Sequence, residues 1–333
     1  MISFDSHPQR FVEISAEIDS IAWRGEDTNG AASAEPRIIS LVCITGTNEW
    51  RIDHDFIGNA EEKWFFDGTN VYNSTRITKP VSEETRTKMA KAGGPVAVPF
   101  ELAKSNLTIR VWESRDGHPL GDKAANIAWL AFCSGPYLKR EGRLVPLPVD
   151  TLHYTPDRFA YADKTKTFAD EFGLPRLVEL FTSKSLFQAS VEDFYQEHFT
   201  TGRYAEWTKS VVTGLEEGVL MFHYEVTEST NLLGWNFPLR FEFFQKGRKH
   251  IQNGDWFHRG IGRVKSIRTA SKPENLFVPS MQQTIVDWRF RDEASQVNAI
   301  IYESTNAFVA PTNDPALQEK FAAHVKRMAA RRK

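Results

Sequence analysis

The sequence predicts an α+β protein built on a large, curved antiparallel β-sheet, resembling an incomplete barrel, covered by a few helices and closed by a C-terminal helix. Three observations carry this expectation. Apolar and polar residues alternate along many short segments, the period of a half-buried strand. Aromatics are abundant, with 24 Phe, 9 Trp and 8 Tyr, residue types that suit a pleated surface. Strand-like and helix-like segments do not alternate regularly, which argues against a doubly wound parallel sheet.

In "VEISAEID", Val12, Ile14, Ala16 and Ile18 fall on one face and Glu13, Ser15, Glu17 and Asp19 on the other. The Gly-, Asn- and Ser-rich stretch from Arg24 to Glu35 reads as a loop. "RIISLVCIT" is apolar on both faces, as in a central strand, and "EWRIDHDFIG" alternates again. In "KWFFDGTNVYN" two strands flank Asp67-Gly68, a favoured type I′ pair because both central residues need positive φ. Trp64 and Phe66 should then share a face and Phe65 the other. "SEETRTKMAKAGG" predicts a helix capped by Ser82 and ended by Gly93. "NLTIRVWES" returns to a strand. "DKAANIAWLAFCSGP" is helical by spacing, with Ala125, Ala128, Trp129, Phe132 and Cys133 on one stripe.

Further on, "PRLVELFTSK" and "SVEDFYQEHF" read as short helices. "LMFHYEVTE", "PLRFEFFQ", "GRVKSIRT", "QQTIVDWRFRD" and "NAIIYEST" read as strands, with Gly260 and Gly262 marking a bulge or tight bend. The final helix starts with Asp314 as cap and Pro315 at its first position, and carries Leu317, Phe321, Val325 and Met328 as its apolar stripe.

With 333 residues and 41% hydrophobic content, the chain can bury a sizeable core. The expectation is a single globular unit; if it divides, it forms β-rich lobes over residues 1–150 and 151–313, followed by the helix 314–333. A net charge of -2 gives no electrostatic reason to expect nucleic acid as a partner. No apolar run reaches the ~18 residues of a membrane span. "MISFDSHPQR" has no basic segment followed by an apolar one, so no signal peptide is read there. The location expected is the periplasm or envelope if a signal lies upstream, and the cytoplasm otherwise. Cys43 and Cys133 read as two buried thiols.

Motifs for chemistry are sparse. There is no H-E-x-x-H and no C-x-x-C; no metal and no cofactor are expected. In "DHD" only Asp53 and Asp55 point together, because alternate strand residues diverge. His223 and Glu225 share a face but lack the downstream cysteines of a zinc deaminase. Cys133 lies on an apolar helix stripe, and no G-x-S-x-G elbow exists. Glu225, Glu228 and Glu242, beside aromatic strands, are the residue types a glycosidase pairs. A carbohydrate-active hydrolase is therefore one alternative, and a structural or partner-binding envelope protein is another. The basic end "KRMAARRK" suits a helix C-terminus.

One local pattern resembles a known family. In "EWRIDHDFIGNAEEKWFFDGTNVYN", Trp50-Arg51 precede the hairpin Phe66-Asp67-Gly68-Thr69-Asn70-Val71-Tyr72. This is similar to the early strands of the LolA/LolB-like periplasmic lipoprotein-localisation carriers. The resemblance covers roughly Ile38 to Tyr72. It implies an incomplete barrel with a helical lid and a hydrophobic concave face for lipid acyl chains. The chain departs from the family in its greater length, in having no signal peptide or lipobox cysteine, and in a second half without a match. "IAWLAFCSGPYL" and "NLLGWNFPLRFEFF" resemble stretches of large bacterial envelope proteins. The resulting expectation is a non-enzymatic binding protein with a lipid or other hydrophobic ligand as partner. Trp50, Phe66, Phe222, Phe241 and Phe243 are the candidate lining residues.

Overall fold

A computed structural model describes residues 10–26, 32–56, 60–77, 107–114, 119, 123–135, 139–140, 143–144, 164–182, 219–245, 258–278, 282–292, 297, 299–306 and 308–330. The helices expected at Ser82–Gly93 and in "SVEDFYQEHF" lie outside them. The strands are β1 (Phe11–Glu26), β2 (Ala32–Thr45), β3 (Trp50–Phe56), β4 (Ala60–Phe66), β5 (Asn70–Ile77), β6 (Leu107–Glu113), β7 (Lys139–Arg140), β8 (Arg143–Leu144), β9 (Lys164–Ala169), β10 (Pro175–Thr182), β11 (Val219–Leu232), β12 (Trp235–Gln245), β13 (His258–Ala270), β14 (Gln283–Asp287) and β15 (Ile300–Ser304). The helices are α1 (Lys123–Phe132) and α2 (Pro315–Ala330).

Thirteen strands form one open sheet in the order β15-β14-β6-β5-β4-β3-β2-β1-β13-β12-β11-β10-β9, and β7 with β8 makes a separate pair. The sheet is mixed, because β14 pairs parallel to β6, with Ile285 opposite Ile109. A parallel neighbour requires a long crossover, and here the crossover includes everything between β6 and β14. The chain forms two compact units: 1–11, 43–119 and 271–333 make the first, 12–42 and 120–270 the second.

In the first unit, one sheet face packs against α2. Phe65, Tyr72, Ile109, Val111, Ile285 and Tyr302 form its core with Phe290 and Leu317, and Phe321 packs on it. Asp314 caps α2 by accepting hydrogen bonds from the N–H groups of Ala316 and Leu317, at 3.0 and 3.1 Å. A buried ion pair ties this region together. The Asp287 carboxylate, 0% exposed at its side chain, accepts from Arg289 Nε at 2.9 Å and Nη2 at 2.7 Å, and from the Tyr302 hydroxyl at 3.2 Å. Arg289 also donates to the Ala310 carbonyl, 2.7 Å away, just before α2.

The hairpin between β4 and β5 differs from the turn expected. Gly68 has φ +95° and Asp67 is not left-handed, so the pair is not a type I′ turn. The closing backbone bond runs from Asp67 N–H to the Asn70 carbonyl, which makes Gly68 and Thr69 the central residues. The Asp67 carboxylate holds the loop, accepting from the Thr69 and Asn70 N–H groups at 2.9 and 2.8 Å and from the Tyr72 hydroxyl at 2.6 Å.

In the second unit, α1 covers one face of β12, and Phe132 meets Phe241 edge-on with centroids 5.9 Å apart. Gly262 sits opposite Phe241 and Gly260 opposite Phe243, in a regular ladder. A Cβ on Gly262 would lie 2.0 Å from the Phe241 ring, and one on Gly260 would lie 2.8 Å from Phe243 and 2.9 Å from the Asp19 carbonyl. The glycines are therefore not a bend; they make room for two phenyl rings laid across β13. The β11–β12 hairpin turns on Leu233 (φ 56°) and Gly234 (φ 83°), the type I′ combination that a leucine fills only with strain.

Three further expectations are corrected. "PRLVELFTSK" is not a helix but strand β10, paired on one side with β9 and on the other with β11. The loop placed at Arg24–Glu35 is shorter, since β1 runs to Glu26 and β2 starts at Ala32. β2 is a central strand as expected, between β3 and β1, but its two faces are not equally buried, because Ile38 is 72% exposed while Leu41 and Cys43 are buried. Cys43 and Cys133 are both buried thiols.

Asn at position 233 fits a left-handed turn better than Leu. Leu233→Asn should raise stability by about 1 kcal/mol, read as a higher midpoint in urea. Asp287→Asn leaves the buried Arg289 without its counter-charge and should cost on the order of 3 kcal/mol, with a fall in the same midpoint. Burial and then the Asp67 contacts raise the pKa of Tyr72; burial and then the Asp287 charge raise that of Tyr302. A phenol raised in the folded state contributes stability that is intact below its unfolded pKa of about 10 and is lost as pH climbs above it. Urea midpoints should therefore fall above pH 10, and less steeply in Tyr72→Phe.

Candidate functional site

The opposite face of the first unit, turned away from the α2 core, carries an unusual set of side chains. Strands β3 to β6 pair antiparallel without a register break, so their side chains line up in rows across the strands. The first row is Trp50, Phe66, Val71 and Trp112. The second is Ile52, Trp64, Asn73 and Arg110. The third is His54, Glu62, Thr75 and Thr108. Parallel pairing with β14 and then β15 continues the second row through Val286 to Ile301, and the third through Thr284 to Glu303. The face thus grades from aromatic to polar along the strand direction.

The aromatic rings are in contact. Trp50 and Phe66 have centroids 6.1 Å apart, Trp64 meets Trp112 edge-on at 5.6 Å, and Trp112 is 6.1 Å from Trp288. Exposure changes along this series: Trp50 and Trp64 are 3% exposed and Trp112 6%, whereas Trp288 is 42% and Ile301 58% exposed. The face is enclosed over β3–β6 and open at the β14–β15 edge.

The polar row is a network. Trp64 Nε1 donates to Glu62 Oε2 at 3.2 Å, Thr75 donates to Glu62 Oε1 at 3.4 Å, and His54 Nε2 lies 3.7 Å from Glu62. Arg110 Nη1 donates to Asn73 Oδ1 at 3.0 Å and to Thr75 Oγ1 at 3.2 Å. Several N–H donors on this face are buried without a hydrogen-bond partner among the described residues: Trp50 Nε1, Trp112 Nε1 and Asn73 Nδ2. Buried indole and amide N–H groups are normally satisfied, so each of these three is an exception.

Of the five residues proposed from sequence, Trp50 and Phe66 stand in this first row. Phe222, Phe241 and Phe243 belong to the second unit. There Phe241 is fully buried between Phe132, Tyr224 and Gly262, and Phe243 packs on the His258 ring at 5.1 Å. Sequence reasoning did not single out Asn73, Arg110, Trp112 or Trp288. Alternation in "TIRVWE" puts Thr108, Arg110 and Trp112 on one side, but only the cross-strand register sets them beside Asn73 and Val71.

The other candidate chemistry sits elsewhere. Glu225 and Glu242 are register partners on β11 and β12. Both are about half exposed at their side chains and lie within 3.5 Å of His223 and Arg240 respectively. Glu228 pairs in register with Arg240 and is exposed. His223 stacks on Phe244 at 4.7 Å and contacts Glu179 at 3.2 Å. Asp53 points away from His54 and is held by Arg51 at 2.7 and 2.8 Å. Among the described residues no group of three His, Cys, Asp or Glu is placed to hold a metal ion, and no helix is long and apolar enough to cross a membrane.

These features define a class, an open mixed sheet of thirteen strands with two described helices, one of them C-terminal. No family model matches the chain, and no curated protein matches it. Among solved structures it is similar to a LolA superfamily protein from Nitrosomonas europaea, at 10% identity and a TM-score of 0.34, over 82% of this chain and 91% of that one. It is also similar to a DUF1329 family protein from Desulfovibrio piger, at 4% identity and a TM-score of 0.24, over 80% of this chain and 88% of that one.

Proposed function

We propose that this is a non-enzymatic binding protein whose aromatic sheet face in the first unit receives a hydrophobic ligand, a lipid or an acyl chain. The observation that carries the reading is the continuous ring series from buried Trp64 through Trp112 to Trp288 at the open edge. Sheet residues that only fill a core are closed off throughout, as on the α2 side of the same strands. Here the series reaches solvent at one end, where a chain can enter side-on. From β3 to β6 the first row spans about 14 Å. Each methylene removed from water along it contributes about 0.8 kcal/mol, so a chain of moderate length gains enough to bind. The resemblance of Ile38–Tyr72 to the lipoprotein carriers points to the same ligand class.

The test uses the full chain, stripped of bound lipid, with a fluorescent naphthylamine probe displaced by dodecyl amphiphiles. Dodecyl compounds should displace the probe, and Trp288→Ala should weaken them about tenfold, the loss of roughly 1.4 kcal/mol of ring contact. Failure of every dodecyl compound to displace the probe, with no lipid found by mass spectrometry of the purified protein, would overturn the proposal.

A further inference from the structure

We infer that the site selects an amphiphile with an oxyanion head, a carboxylate or phosphate, and seats that head at Arg110, Asn73 and Trp112. This inference rests on the binding reading above and specifies its ligand. Three N–H donors on this face, at Trp50, Asn73 and Trp112, are buried without a hydrogen-bond partner among the described residues. Asn73 is 3% exposed and its Nδ2 has no partner among the described residues. Trp112 is 6% exposed and its Nε1 is likewise unpartnered. Arg110 stands directly opposite Asn73 in register. Both of its hydrogen bonds leave from Nη1 and go to neutral oxygens, Asn73 Oδ1 and Thr75 Oγ1. Its Nε and Nη2 groups have no described acceptor, and no carboxylate pairs with it among the described residues.

The neighbouring charges set the position of the head. Glu62 lies in the third row and is linked to Arg110 through Thr75, which donates to it. That carboxylate repels an anion on the Thr75 side. On the opposite side, toward Trp112 two residues along β6, the described residues offer the orphan N–H groups of Asn73 and Trp112. Adjacent same-face residues on a strand are about 7 Å apart, so one head of two or three oxygens spans Arg110, Asn73 and the Trp112 N–H. Charge-assisted N–H···O⁻ bonds in a buried place are the strong ones. The alkyl tail then lies over the first row, against Trp112, Val71 and Phe66. Trp50 stands at the far end of the row, three strand spacings or about 14 Å along the sheet, and does not share the head.

The experiment compares dodecanoate, dodecyl phosphate and dodecan-1-ol on the wild-type chain and on Arg110→Met and Arg110→Lys, with circular dichroism to confirm folding. In the wild type, at least one of the two anions should bind about tenfold more tightly than the alcohol; whichever anion is tighter identifies the head. Arg110→Met should remove that advantage and leave the alcohol unchanged, while Arg110→Lys keeps part of it. Equal wild-type affinity for the alcohol and both anions overturns the oxyanion site even if Arg110→Met does not fold. It leaves the amphiphile reading standing, because the chain still binds. Binding of none of the three overturns both.

Discussion

The first unit depends on one constraint, the unbroken register of β3, β4, β5 and β6. Successive strand residues point to opposite faces, so a slip of one residue would exchange the two faces wholesale. As paired, Phe65, Tyr72, Ile109 and Val111 go to the α2 side, and Trp50, Trp64, Phe66 and Trp112 go to the other. Both faces are apolar enough that burial alone would tolerate either assignment. The Asp67 loop, with its carboxylate gripping Thr69, Asn70 and Tyr72, decides between them. A loop one residue longer or shorter would move Tyr72 off the α2 core and break its contact with Phe277.

The same register explains why apolar and polar chemistry coexist on one enclosed face. A row of Trp, Phe, Val and Trp stabilises through burial, and a row of His, Glu, Thr and Thr stabilises only if its groups pair. Glu62 meets that demand by accepting from Trp64 and Thr75. The row between them meets it incompletely, at Asn73 and Arg110. A face built only as core would carry an apolar pair there, which is often neutral or better for stability than a buried polar one.

Much of the architecture was legible in the sequence because hairpins announce themselves locally. Alternation in "EWRIDHDF" and "LMFHYEVTE", and the Asp-Pro start of α2, act over a few residues and survive in the fold. β10 was misread because Leu177, Leu180 and Phe181 fit a helical stripe as well as Val178 and Leu180 fit a strand face; a short apolar run carries both signals. Pairing with β9 and β11 decided it. Gly260 and Gly262 were misread for a related reason, since the rings that require them are on the adjacent strand. The candidate site was least legible. Trp50 and Phe66 were found as aromatics on alternating strands, but Asn73 and Arg110 meet across 37 positions, and sequence alone does not fix that register.

The parallel pairing of β14 with β6 has a consequence for the order of events during synthesis. β3 to β6 emerge early and can form their hairpins at once. Their partner β14, the Asp287–Arg289 pair and α2 emerge only after residues 120–270. Until then Ile109, Val111 and Tyr72 lack the core that covers them. The nascent first half therefore spends the translation of the whole second unit with an apolar strand edge and face uncovered, the state in which sheet proteins are most prone to wrong pairing. That exposure follows from the wiring of the sheet more than from its composition.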